Sequence, residues 1–487
     1  MSASNAAQTK LRNDKMKVLY AASEALPFAA SGGLADVAGS LPGALRKRKT
    51  ACRVVMPLYG SVSDEMRSNM KFITNIMVPV SWRRQYCGIF EAHANGVVYY
   101  LLDNEYYFKR NSLYGHYDDG ERFAFFSRAV LEILPYIDFK PDIIHCNDWQ
   151  TALIPVYYST MYANREGYTG IKTVFTIHNI QYQGIYGKEI LGDVFGLGEE
   201  HYSLVEFGDD INLMKGAIEC ANKVTTVSHT YAEETLDPWF SHGLHPILKE
   251  RSYKLSGILN GIDTDNYNPE TDKDIPFNYS IDDKSGKAKD KNALQELFNL
   301  PQRPDTPIIA MVSRLVSHKG LDLVKKVIWN ILGTTDMQFF LLGAGDWEYE
   351  TFFKELAAAF PDKVGLRLGF VPDLARKIYA GADIFLMPSK SEPCGLSQMV
   401  ALRYGTVPIV RETGGLKDTV TDSGDGKGNG FTFKSYDAYD MQDGIWRALG
   451  AYSDKDYWAK LVDRAMRCDN SWSRSAKEYI NLYKSIE

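Results

Sequence analysis

Glu392 lies in the segment Pro388-Ser389-Lys390-Ser391-Glu392-Pro393-Cys394-Gly395-Leu396-Ser397-Gln398, between an apolar run at 384–387 and a helical pattern that ends near Gly405. A carboxylate in such a loop accepts hydrogen bonds from sugar hydroxyls, and the N–H groups of Gly395, Leu396 and Ser397, opening a helix, can hold phosphate. One loop would then read both halves of a sugar nucleotide; the plainer alternative is a strand-to-helix turn carrying an exposed Glu. A second group, Ser313-Arg314-Leu315-Val316-Ser317-His318-Lys319-Gly320, leaves another apolar run. Arg314 and Lys319 there offer two fixed cations to a leaving diphosphate.

Glycine turns follow other runs. Gly32-Gly33 runs into a helical pattern over 35–48, where it serves either as a tight turn or as an anion cradle at a helix start. Gly343-Ala344-Gly345 lacks the third glycine of the dinucleotide fingerprint and argues against NAD, while Thr413-Gly414-Gly415-Leu416 supplies a second glycine pair. Cys146-Asn147-Asp148-Trp149 and Thr176-Ile177-His178-Asn179 both close apolar runs. His178 is either a satisfied core histidine or a sugar contact, with Asn179 and Gln183 nearby in sequence.

Strands are needed at the roots of these loops. Short runs of branched and aromatic residues at 18–22, 53–56, 97–102, 143–146, 173–177 and 224–227 alternate with amphipathic stretches, and the rhythm restarts at 307–313, 338–342, 365–369, 384–387 and 407–410. The polar stretch 263–291, with Pro269 and Pro276, separates the halves. The expected architecture is α/β, with two facing Rossmann-like doubly wound parallel-sheet domains whose strand ends share a cleft. Domains are expected at 16–258 and 259–471, after a disordered tail over 1–15, and the amphipathic segment 472–487 is expected to pack back on the first domain.

Composition narrows the partners. Lys and Arg number 55 against 61 Asp and Glu, a net charge of −6, so no global positive field gathers nucleic acid or an anionic membrane. No apolar stretch reaches the length of a membrane span, and the polar start has no secretion signal, so a cytoplasmic protein is expected. The six cysteines are scattered without C-x-x-C spacing, which predicts reduced structural thiols. Asp263-Thr264-Asp265 spells the acid-x-acid pair of metal-dependent glycosyltransferases, but it opens the polar stretch, and no metal is expected.

Taken in order, these motifs resemble the bacterial glycogen synthases and plant starch synthases, retaining glucosyltransferases of the GT-B architecture. The resemblance runs from Met16 onward through Gly-Gly-Leu-Ala-Asp-Val at 32–37, His178-Asn179 with Tyr182-Gln183-Gly184, Leu-Asn-Gly-Ile-Asp at 259–263, Lys319-Gly320-Leu321-Asp322, the Glu392 loop and Thr413-Gly414-Gly415-Leu416. It implies transfer of glucose from ADP-glucose to the non-reducing end of an α-1,4-glucan with retention, without cofactor or metal. Arg314 and Lys319 would hold the diphosphate with help from Gly32, Gly33 and the 395–397 helix start. Glu392 would hold the glucose and support charge at its anomeric carbon, and His178 would approach the 6-hydroxyl. Asp36 and Asp148 would line the sugar site, and Phe370 would stack on the base. Asn260, Gly345, Cys394, Gly414 and Gly415 complete the implied donor set. One departure stands out: the family usually carries Lys where this chain has Ala30. A catalytically silent glucan-binding protein and an enzyme preferring UDP-glucose are the alternatives.

Overall fold

The computed structural model describes residues 15–486, so the expected tail lies, but for Lys15, outside the described residues. The chain divides into two compact units: one holds the described residues up to Phe175, Gln183–Asn222 and those from Tyr479 on, the other Thr176–Tyr182 and Lys223–Glu478.

In the first unit, β1 (Lys17–Ala21), β2 (Ala51–Pro57), β3 (Lys71–Val80), β4 (Arg83–Ala94), β5 (Val97–Asp103), β6 (Ile143–Asn147) and β7 (Lys172–Ile177) stand in the order β7-β6-β1-β2-β5-β4-β3. β1 pairs in parallel with β2 and β6, and β2 with β5, whereas β3, β4 and β5 are antiparallel. Val18, Leu19, Tyr20 and Ala21 are all buried, the continuous apolar reading of a strand covered on both faces. The helix Gly33–Lys47 buries Leu34, Val37, Ala38, Leu41 and Leu45 on one stripe, with Arg46 and Lys47 at its negative end. A small antiparallel sheet of β8 (Ile185–Tyr186), β9 (Glu206–Phe207) and β10 (Asp210–Asn212) lies in the same unit. The hairpin β3–β4 and this small sheet were not among the strands expected from the sequence.

The second unit carries the parallel pair β11 (Lys223–Thr226) and β12 (Leu255–Gly257). Its six-stranded sheet comprises β13 (Ile308–Val312), β14 (Gln338–Gly343), β15 (Val364–Leu368), β16 (Ile384–Met387), β17 (Val407–Arg411) and β18 (Phe431–Phe433). They stand in the order β15-β14-β13-β16-β17-β18, all parallel. Counted along the chain this is 3-2-1-4-5-6, the doubly wound order of a nucleotide-binding fold. Ile308, Ala310, Phe340 and Leu342 pack with Leu294, Leu374 and Ile378 of two helices to form its core. The last helix, Trp472–Lys484, buries Trp472, Tyr479 and Tyr483, and in the first unit the Tyr483 hydroxyl meets His145 Nδ1 at 2.7 Å. No helix among the described residues is long and apolar enough to cross a membrane.

Candidate active site

In a doubly wound sheet the crevice for a ligand opens where the strand order reverses. In the second unit that point lies between β13 and β16, the strands whose loops carry Arg314, Lys319 and Glu392. Lys319 Nζ donates to Glu392 Oε2 at 2.6 Å, and the Ser389 hydroxyl donates to the same oxygen at 2.9 Å. Two donors on one oxygen hold the carboxylate in place and leave Oε1 without a partner among the described residues. Arg314, by contrast, is exposed, and its guanidinium makes no hydrogen bond or ion pair among the described residues.

The two loops are tied together. The Lys390 N–H donates to the His318 carbonyl at 2.8 Å, and Gly320, with φ +77°, lies so close to Pro388 that a Cβ would stand 2.1 Å from its carbonyl oxygen. Only glycine tolerates both the conformation and the contact.

Downstream, Gly395 turns the chain into the helix Ser397–Arg403, which has no side-chain cap, and the Ser397 hydroxyl bonds Tyr379. Burial pushes the Cys394 thiol up to about 12, so it is inert as a nucleophile. Asn260 is 5% exposed, and its Oδ1 lacks a partner among the described residues, an acceptor held ready beside Cys394. Phe370, after β15, is 93% exposed, a ring with its faces open to stacking. Three of the expected donor glycines have their N–H groups engaged within the protein: Gly345 with Glu350 Oε1 at 3.1 Å, Gly414 with Glu234 Oε1 at 3.1 Å, and Gly415 with the Glu392 and Pro393 carbonyls at 3.2 Å each.

His178 follows β7 at the end of an apolar strand, and burial pulls its imidazole down to about 3. It is therefore a neutral hydrogen-bonding group at working pH and not a proton donor. The unfolded chain protonates this histidine below about 6.5, whereas the folded one takes no proton there until about 3. The unfolded state thus binds more protons between these values, so stability is expected to fall as pH drops from about 6.5, by up to about 1.4 kcal/mol per unit. Urea unfolding at a series of pH values, with His178→Gln flattening this acid slope, is the check.

In the first unit the strand order reverses between β1 and β6, where Gly32-Gly33 and Asp148 respectively follow. Glu24, buried, accepts the Ser31 N–H and hydroxyl, both at 2.6 Å, and so anchors the glycine loop. A Cβ on Gly33 would meet nothing within 4 Å, so packing does not itself require glycine there. Asp148 has φ +56° and ψ 178°, a region nearly exclusive to glycine, and such strain gathers at functional sites. Asp36 sits in the first turn of the helix Gly33–Lys47, where burial raises its carboxyl. Ala30 is exposed beside this loop.

Sequence reasoning gave no role to Glu24, Ser389 or Arg411; of these, Arg411 at a strand end was the visible signal. As for the acid-x-acid pair, the Asp263 carboxylate accepts the N–H groups of Asp265 and Asn266 at 3.0 Å each, a local turn. Among the described residues no three His, Cys, Asp or Glu side chains gather where they could hold a metal ion.

Residues 17–250 match the family model of the starch synthase catalytic domain, and residues 294–461 that of glycosyl transferases group 1. The chain is 50% identical over 475 residues to the glycogen synthase of Geobacillus thermodenitrificans (strain NG80-2), covering 97% of this chain and 98% of that one. It is equally similar to the glycogen synthase of Bacillus cereus (strain ATCC 10987 / NRS 248), covering 97% and 100%. The catalytic domain of starch synthase IV from Arabidopsis thaliana, solved bound to ADP and acarbose, superposes with a TM-score of 0.89 at 36% identity, over 97% of this chain and 99% of that one. A sucrose-phosphate synthase from Thermosynechococcus elongatus, at 17% identity and a TM-score of 0.60, shares the fold. With half its residues identical to curated glycogen synthases over nearly its whole length, and with the two Rossmann-like domains of the GT-B architecture, the chain belongs to the glycogen and starch synthase family of glycosyltransferases.

Proposed function

We propose that the protein transfers glucose from ADP-glucose to the non-reducing 4-hydroxyl of an α-1,4-glucan with retention of configuration. The observation that carries this reading is the Glu392 carboxylate, fixed by Lys319 and Ser389 at the switch point with the open guanidinium of Arg314 in the neighbouring loop. In the proposed step the bond from C1 to the diphosphate oxygen breaks while the acceptor O4 bonds C1 on the same face. The 4-hydroxyl proton passes to the departing phosphate oxygen. Arg314 and Lys319 offset the charge that grows on that oxygen, and Glu392 supports the positive charge at C1. Neutral His178 hydrogen-bonds the glucosyl group, and Phe370 stacks on the base. Gly32, Gly33, Asp36 and Asp148 are assigned to the donor and its sugar, and Asn260, Cys394 and the 395–397 helix start complete the donor contacts. ADP in the related starch synthase supports an adenine nucleotide donor.

The test supplies labelled ADP-glucose and UDP-glucose separately with glycogen. Faster incorporation from ADP-glucose is expected, with the α anomer of the new linkage read by NMR; faster incorporation from UDP-glucose overturns the donor assignment. No incorporation from either sugar, with glycogen still bound, would favour the silent glucan-binding protein.

Ala30 bears on donor affinity. The loop here has no cation of its own, so Ala30→Lys is expected to lower KM for the nucleotide sugar by the value of one charge-assisted contact, roughly five- to thirty-fold, and to leave KM for glucan nearly unchanged. Paired saturation kinetics decide it: an unchanged or raised donor KM means the loop is built around the small residue.

A further inference from the structure

We infer that Arg411 is a positioning residue for Glu392, acting through the main chain of the loop that carries it. This rests on the proposed role of Glu392. Arg411 closes β17 and is buried; its guanidinium hydrogen-bonds carbonyls, while the Glu234 carboxylate lies near enough to favour its charge. Nε donates to the Ser389 carbonyl at 2.9 Å, Nη2 to the Lys390 carbonyl, and Nη1 to the Lys434 carbonyl at 3.4 Å. The fork thus spans two successive carbonyls of the segment whose next residues end in Glu392. A buried cation is costly unless it is paired and hydrogen-bonded. A planar guanidinium can bridge neighbouring carbonyls, and an ammonium cannot reproduce that fork.

The residues after Arg411 grip the other side of the same loop. The Gly415 N–H donates to the Glu392 and Pro393 carbonyls, each at 3.2 Å. A Cβ on Gly414 would stand 2.0 Å from the Glu392 carbonyl oxygen, and one on Gly415 would stand 2.1 Å from that of Cys394. The segment 411–415 is therefore a template: a side-chain fork holds the loop before Glu392, and a backbone N–H with two side-chain-free α-carbons holds it after. Ser389 joins the two functions, since its carbonyl accepts from Arg411 while its hydroxyl donates to Glu392 Oε2. Displacing Ser389 turns the carboxylate that Lys319 also grips. In this arrangement the Gly414-Gly415 pair serves the donor site by shaping the loop, and its N–H groups are spent inside the protein.

The experiment compares wild type, Arg411→Lys, Glu392→Ala and the double variant, with Arg411→Gln alongside in both backgrounds. Arg411→Lys is expected to lower kcat roughly 10- to 100-fold, the scale of a displaced reacting group, with donor KM within about threefold of wild type. In the Glu392→Ala background the same change is expected to cost little more, because the group it positions is gone. Hydrogen exchange read by mass spectrometry should accelerate at least about tenfold in peptides spanning 388–394 and stay unchanged in β13 and β14. Equal losses of kcat in both backgrounds, or wild-type exchange at 388–394 in Arg411→Lys, overturn the inference. Should Arg411→Lys fail to fold, Arg411→Gln, which keeps a planar donor able to reach one of the two carbonyls, carries the test: kcat falls only where Glu392 is present, and exchange at 388–394 accelerates. If the wild-type protein transfers no glucose, the proposed function fails, and the exchange measurement still decides what Arg411 holds.

Discussion

Glu392→Ala is expected to reduce kcat by about 10²- to 10³-fold with the fold intact, the scale of losing one preorganised contact to developing charge. The geometry makes the loss specific. Both donors to the carboxylate, Lys319 and Ser389, meet Oε2, so Oε1 is the oxygen left to accept from the substrate. Removing the side chain deletes that acceptor and also frees the Lys319 ammonium, which then adds uncompensated positive charge where positive charge must develop on the sugar. Glu392→Gln separates the two effects: it keeps an oxygen for the hydroxyl and loses the negative charge, and it should fall nearly as far as Ala if charge is what matters. Turnover in either variant within a few-fold of wild type would remove Glu392 from the reacting centre. Circular dichroism and thermal unfolding accompany the kinetics, because the carbonyl of Glu392 also accepts from Gly415 and a shifted loop would imitate a lost charge.

The parts of this site that could be read from sequence are those whose meaning is local. β16 spans Ile384–Met387, the run expected, and β13, β14, β15 and β17 lie within a residue or two of theirs. Strands of a parallel sheet are covered on both faces, and an unbroken apolar run between polar loops has few other readings. The hairpin β3–β4 was missed because its faces are not cleanly split. Met77 and Tyr86 face each other across the two strands and are exposed, while Arg83 and Arg84 interrupt the pattern. Asn95-Gly96, with φ +49° and +71°, is a primed-turn signature joining β4 to β5, and it was the available signal. β18 has three residues, too few for periodicity.

What could not be read is tertiary. That Arg411 reaches two carbonyls some twenty residues earlier follows from β16 and β17 being neighbours in the sheet, which no spacing in the chain expresses. Likewise a glycine pair after a strand signals that Cβ atoms are excluded without saying by what. At Gly33 the space is open, whereas at Gly414 the Glu392 carbonyl fills it. The neutrality of His178 depends wholly on burial and has no counterpart in its neighbours along the chain.

Arg314 and Lys319 leave the same strand five residues apart, yet the structure gives them different surroundings, and this shapes the expected kinetics. Replacing either with Ala should cost roughly 2–4 kcal/mol in kcat/KM, the scale of leaving one charge of a close pair unmatched, and the double variant should fall short of the sum, since both act on one diphosphate. Lys319 already has a partner in Glu392 Oε2, whereas the Arg314 guanidinium has none among the described residues. Lys319→Ala therefore also releases the carboxylate that should hold the sugar, so its loss should appear in kcat as well as in donor KM. Arg314→Ala breaks no hydrogen bond or ion pair among the described residues and should act on the donor alone. A second cycle exposes the difference: Lys319→Ala with Glu392→Ala should be strongly non-additive, and Arg314→Ala with Glu392→Ala closer to additive. Strict additivity between Arg314 and Lys319 would assign them to separate charges. Equal coupling of both cations to Glu392 would mean that the ion pair between Lys319 and Glu392 dissolves when the donor arrives, leaving Lys319 wholly to the phosphates.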